Sequence, residues 1–117
     1  MRRIDIYIQD AITSIDKILS YIEEAGSFDE FCKNEMMIDA VIRNYEIIGE
    51  ISNKIPKEIK DHHPEIPWRQ MYGLRNLAIH EYHIVDNSVL WEIATEKLIS
   101  NKIDFEKILD ELKKEES

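Results

Sequence analysis

Between residues 3 and 23, Ile4, Ile8, Ala11, Ile15, Ile18 and Ile22 recur at intervals of three and four. That spacing lines them along one face of a helix. Gly26 closes this helix, and Ser27 with Glu30 in "SFDEF" forms a capping-box pattern in which side chain and backbone satisfy each other's free N–H groups. A second long helix spans about residues 35 to 55. Its apolar positions, Met37, Ile38, Val41, Ile42, Tyr45, Ile48, Ile51 and Ile55, make a stripe wide enough to bury two sides. Arg43, Glu46 and Glu50 occupy the remaining side as an intrahelical ion-pair ladder. Gly49 in the same helix leaves room for close approach of a neighbour.

Pro56, Pro64 and Pro67 punctuate the middle of the chain, so "PKEIKDHHPEIP" predicts a short helical turn followed by a loop. Pro67 suits the first turn of a third helix, where its missing N–H has no partner to lose. That helix runs through Trp68, Met71, Leu74, Leu77 and Ala78 toward His80. After a connector at 83–87, Asp86, Asn87 or Ser88 can cap a fourth helix. Its stripe is Val89, Leu90, Ile93, Ala94 and Leu98, continuing through Ile103, Ile108, Leu109 and Leu112. Trp68 and Trp91 read as core anchors. Four or five amphipathic helices with short connections predict an all-α, up-and-down bundle forming a single domain over residues 1–117.

Composition narrows the function. With 3 Gly and 3 Pro the chain has too few turn formers for a many-stranded β sandwich. No apolar run approaches the roughly 18 residues of a membrane span, and Asp5 and Asp10 interrupt what would be the apolar part of a signal peptide. Cys32 is alone, which rules out an internal disulfide and fits a reducing, cytoplasmic setting. The formal net charge is −9, which works against indiscriminate binding to nucleic acid. Any contact with RNA or DNA must therefore rest on a local site. Residues 67–83 allow one, because Arg69 and Arg75 stand against Glu81 for a local balance of +1, with His80 and His83 nearby.

The candidate chemistry lies in "MYGLRNLAIHEYH", residues 71–83. On a continuous helix residues advance by about 100°, so Arg75 and Tyr82 share a face, Asn76 stacks on His80, and Arg75 and His80 diverge by about 140°. Spacing permits convergence of arginine and histidine without compelling it. These groups read either as capping and surface residues of a helix end or as a phosphate-handling site. In the second case, His80 can take the proton from an RNA 2′-hydroxyl so that the oxygen attacks the adjacent phosphorus. Arg75 offers a planar donor fork to the phosphate oxygens as charge accumulates there. Asn76 can orient the imidazole or donate to phosphate, and Tyr82 can hold or stack on the substrate. His80 and His83 lie one turn apart, with His62 and His63 elsewhere, but they complete no zinc-ligand motif.

The sequence resembles the HepT-like toxins of the HEPN superfamily, small all-α prokaryotic ribonucleases. Their motif is Arg, four to six residues, then His, commonly with a polar residue after the Arg and a Tyr two beyond the His. Here it reads "RNLAIHEY", giving Arg75, Asn76, His80 and Tyr82. "DAVIRNYEIIGEI" (39–51), "IPWRQMYGLRN" (66–76) and "IVDNSVLWEI" (84–93) resemble the segments flanking that motif. Tyr45 replaces a more usual leucine, a change expected to affect packing only.

The resemblance implies a HEPN-like homodimer in which the motifs of both protomers face each other across a cleft. It implies metal-independent endoribonuclease activity with no cofactor. Arg75, His80 and Asn76 are then the catalytic set, with Arg69 and His83 as weaker RNA contacts. It further implies a type VII-like toxin–antitoxin pair. The partner would be an MntA-like nucleotidyltransferase that transfers AMP to Tyr82. The alternative is a non-catalytic HEPN-type partner of such a nucleotidyltransferase, presenting substrate or nucleotide.

Overall fold

The computed structural model of the protein describes residues 3–79 and 86–116. All secondary structure among them is helical: α1 (Ile4–Ala25), α2 (Phe28–Cys32), α3 (Glu35–Lys54), α4 (Lys57–His62), α5 (Trp68–Gly73), α6 (Asn76–Ile79), α7 (Asn87–Glu96) and α8 (Leu98–Glu116). The all-α bundle expected from the apolar periodicity is the observed fold. Its frame is α1, which packs along both α3 and α8, while α7 bridges α1, α3 and α8.

The expected stops and starts are built from local chemistry. Gly26 takes φ +76° and its N–H donates to the Ile22 carbonyl, ending α1 in the left-handed conformation that glycine adopts without penalty. Ser27 Oγ accepts from the Glu30 N–H at 3.2 Å. The Glu30 carboxylate meets Lys33 at 3.4 Å, so half of the predicted capping box is seen. Ile55 is extended ahead of Pro56, as a residue before proline prefers, and that terminates α3. Asp86 caps α7, its Oδ1 accepting from the Ser88 N–H at 2.9 Å and from the Ser88 hydroxyl. These two bonds hold its carboxyl below the usual aspartate range.

Ile8, Ala11, Ile15 and Ile18 of α1 meet Val41, Tyr45 and Ile48 of α3 and Leu90, Ala94, Leu98 and Phe105 of the last two helices in one core. Two predicted core positions are exposed instead: Val89 at 39% and Ile103 at 47%. The chain turns at Lys97 between α7 and α8. The buried stripe continues across that turn at spacings of three and four through Leu90, Ala94, Leu98, Asn101, Phe105 and Ile108, so Val89 and Ile103 fall beside it and Phe105 takes the core place expected of Ile103. Pro67 stands one position earlier than expected, at the N-cap of α5.

Among the described residues, no buried side-chain polar atom lacks a hydrogen-bond partner. Asn44 and Ser52 donate back to the carbonyls of Ala40 and Ile48 within α3. Tyr45, fully buried, donates to the Leu90 carbonyl at 2.8 Å and ties α3 to α7. Arg43 pairs with Glu46, the first rung of the expected ladder. Trp68 lies edge-on to Phe105 and its indole donates to the His63 carbonyl at 3.0 Å, while Trp91 packs on Phe28 and Phe31. Both tryptophans anchor the core as expected.

Candidate active site

The element that carries the arginine is not the continuous helix expected from residue 68 to 80. α5 ends at Gly73, and Leu74 and Arg75 form a turn before α6 begins at Asn76. Here the Leu74 N–H donates to Met71 at 3.1 Å, Arg75 to Tyr72 at 3.3 Å and Leu77 to Leu74 at 3.2 Å. These are i→i−3 bonds, tighter than those of an α-helix. The 100°-per-residue relation between Arg75 and the residues that follow it therefore does not hold across this turn.

A close approach to α3 fixes the turn. A β-carbon placed on Gly49 would lie 2.6 Å from the Arg75 backbone nitrogen and 2.9 Å from the Tyr72 carbonyl oxygen. Gly49 thus lets α3 touch the backbone of the α5–α6 junction, as its place in the sequence suggested. On the other side of the turn, Met71 and Leu74 are buried in the core.

Arg75 itself is half-buried. Its Nη1 donates to the Tyr72 hydroxyl at 2.7 Å, and its guanidinium carbon lies 5.3 Å from the centre of the Tyr72 ring. One of five N–H donors is so engaged. Asn76 opens α6 and is exposed. Arg69 is exposed on α5, three residues before Tyr72, so the two share one face of that helix. His80, Tyr82 and His83 lie outside the described residues, as does most of the 83–87 connector. Tyr72 escaped the sequence reading, although its i, i+3 spacing from Arg75 was the available signal.

His63 has a different occupation from the one considered for it. It is buried, its Nε2 lies 2.8 Å from Glu111 of α8, and its Nδ1 lies 3.4 Å from Glu65. Both ring nitrogens are taken by carboxylates that pin the loop after α4 to α8. Among the described residues, no three His, Cys, Asp or Glu side chains are grouped to hold a metal, and no helix is long and apolar enough to cross a membrane.

Residues 9–114 match the family model described as Ribonuclease HepT-like. The matched stretch contains the whole Arg75–Tyr82 segment and almost all of the bundle. The chain belongs to the HepT-like family. A Methanocaldococcus jannaschii protein named "Putative RNase" is 36% identical over 111 residues, covering 95% of each chain. A second protein of that organism with the same designation is 34% identical, covering 95% of this chain and 91% of its own. A Thermococcus cleftensis protein named "Probable ribonuclease HepT" is 42% identical over 102 residues, covering 87% of this chain and 92% of its own. No solved structure gives a significant match. The HepT-like assignment fits the observed all-helical architecture, in which α3 packs against α5 and α6 on either side of Arg75.

Proposed function

We propose that this HepT-like chain is a metal-independent endoribonuclease toxin, a single HEPN-like domain acting in the cytoplasm as a homodimer. The observation that carries this reading is Arg75: a half-buried residue at a tight turn, its guanidinium held against Tyr72, at the head of an Arg-x4-His segment in a member of a ribonuclease family. His80 removes the proton of the 2′-hydroxyl, and O2′ attacks the neighbouring phosphorus. Arg75 donates to the non-bridging oxygens as negative charge builds on them. The 5′-oxygen leaves with a proton from the second imidazole of the dimer, giving a 2′,3′-cyclic phosphate and a 5′-hydroxyl. Asn76 supports the imidazole or phosphate, and Arg69 and His83 contact the RNA backbone weakly.

Dimerisation answers the net charge of −9. Two basic segments facing across one cleft focus phosphate binding while the exterior stays negative. Control comes from an MntA-like nucleotidyltransferase, the antitoxin of the pair. The Tyr82 phenol displaces pyrophosphate from ATP and takes up AMP, and the added phosphate repels RNA from the cleft.

The test is cleavage of end-labelled RNA by purified wild type and His80→Ala, with EDTA present throughout. Wild type is expected to leave cyclic phosphate ends, and His80→Ala to leave RNA intact while melting at an unchanged temperature. Undiminished cleavage by His80→Ala rejects the role of the histidine. RNA left intact by wild type rejects the nuclease and favours a non-catalytic partner that presents substrate or nucleotide to the nucleotidyltransferase.

A further inference from the structure

We infer that Tyr72 and Gly49 are positioning residues for Arg75: Gly49 fixes where its backbone sits, and the Tyr72 hydroxyl fixes where its guanidinium points. This inference rests on the reading of Arg75 as the phosphate-binding group, and its test is built so that the two can fail separately.

The backbone half follows from space. The φ of Gly49 is not in the left-handed region, so its lack of a side chain does not serve backbone conformation. A glycine in the interior of a twenty-residue helix is a poor helix former, and what it permits here is contact. The three atoms nearest a β-carbon at this position would be the Arg75 nitrogen at 2.6 Å, the Tyr72 carbonyl oxygen at 2.9 Å and the Arg75 β-carbon at 3.0 Å. Two of the three are backbone, and none is the far end of a flexible side chain. The α3 surface therefore acts as a stop against which the turn carrying Arg75 is seated.

The side-chain half follows from hydrogen bonding. A free arginine samples many rotamers, and a guanidinium must be aimed before it can meet a phosphate with two parallel bonds. Tyr72 constrains it in two ways at once, accepting from Nη1 at 2.7 Å and placing its ring 5.3 Å from the guanidinium carbon. Tyr72 is 36% exposed, so this contact sits at the surface, where substrate can reach the remaining donors. The same tight turn that breaks the helix brings the two side chains together, since the Arg75 N–H bonds to the Tyr72 carbonyl.

Tyr72→Phe keeps the ring and removes only the hydroxyl. It is expected to lower kcat for RNA cleavage by about tenfold, the size of one hydrogen bond to a charged group, with KM and melting temperature retained. The Arg75 Nε–H resonance should move to a solvent-exchanging, averaged position in this variant. Were the ring to serve only as packing or a base-stacking platform, Tyr72→Phe would cleave like wild type and Tyr72→Ala would raise KM. That outcome overturns the inference. Gly49→Ala should displace the same Arg75 resonance. If it fails to fold, Tyr72→Phe still decides. RNA left intact by wild type defeats the nuclease reading alone, because the resonance then judges positioning by itself: an Arg75 signal unchanged in Tyr72→Phe overturns it.

Discussion

The Tyr45 hydroxyl on α3 donates to the Leu90 carbonyl of α7, and one helical turn further along α3 Gly49 abuts the backbone of Arg75. The two contacts hold Arg75, the first residue of the motif, and α7 against the same stretch of α3. Burial also raises the Tyr45 pKa, so the phenol stays a donor throughout the physiological range. Tyr45→Phe should cost about 1 kcal/mol of unfolding free energy, the usual worth of a buried neutral hydrogen bond. Urea titration followed by circular dichroism measures it. A loss of cleavage larger than this loss of stability would show that the α7 clamp also registers the site.

The glycines at 49 and 73 make opposite predictions for the same substitution. Gly73→Ala meets nothing within 4 Å and should stabilise by about 0.5–1 kcal/mol through helix propensity alone. Gly49→Ala gains the same propensity but forces backbone apart, and overpacking of that kind costs about 1–3 kcal/mol. Thermal melts of the pair should move in opposite directions. Equal shifts would mean that the α3 contact with Arg75 yields easily.

The difference between these glycines shows how far the sequence could be read. α1 and α3 are long and uninterrupted, and their ends carry Gly26, Ser27 and Pro56, residues whose backbone preferences act locally; periodicity sufficed there. The family resemblance placed Arg75 in a segment that the HepT-like match covers. The breaks at Leu74–Arg75 and Lys97 carry no such terminating signal, since Gly73 only weakens a helix and "LRN" and "EKL" are compatible with its continuation. At Arg75 the turn is seated against Gly49 of α3, a contact that only the fold reveals. Apolar spacing alone does not choose Phe105 over Ile103 for the core face of α8, and it does not show the turn that pairs Arg75 with Tyr72.

Two aspartates should titrate with opposite effects on stability. The Asp86 pKa is lowered by its bonds from Ser88, so its contribution is complete above the ordinary carboxyl value and is lost as pH falls through the lower folded value. Asp104 is raised, chiefly by burial and against the pull of Lys107. Its penalty is complete above the raised value and vanishes below the unfolded one. At pH 7, Asp86→Ala should therefore lower the melting temperature and Asp104→Asn raise it. Both differences should shrink as melts are taken at successively lower pH, that of Asp104→Asn once pH falls below the ordinary carboxyl value and that of Asp86→Ala at lower pH still. A gain for Asp104→Asn that persists in acid would trace the effect to packing rather than ionisation.

Arginine and lysine carry the same charge but differ in shape, and that difference tests how phosphate is held. If Arg75 stabilises the phosphorane-like transition state by a bidentate fork, Arg75→Ala should reduce kcat by about two to three orders of magnitude, as loss of a preorganised donor does. Arg75→Lys should recover little of this, because an ammonium cannot form two parallel bonds and cannot replace the guanidinium held 2.7 Å from the Tyr72 hydroxyl. RNA affinity should respond differently. Lysine restores the charge, so KM and its salt dependence should return toward wild type while kcat does not. Full recovery of kcat by lysine would reduce Arg75 to a general electrostatic contact, and the geometry around Tyr72 and Gly49 would then carry no catalytic weight.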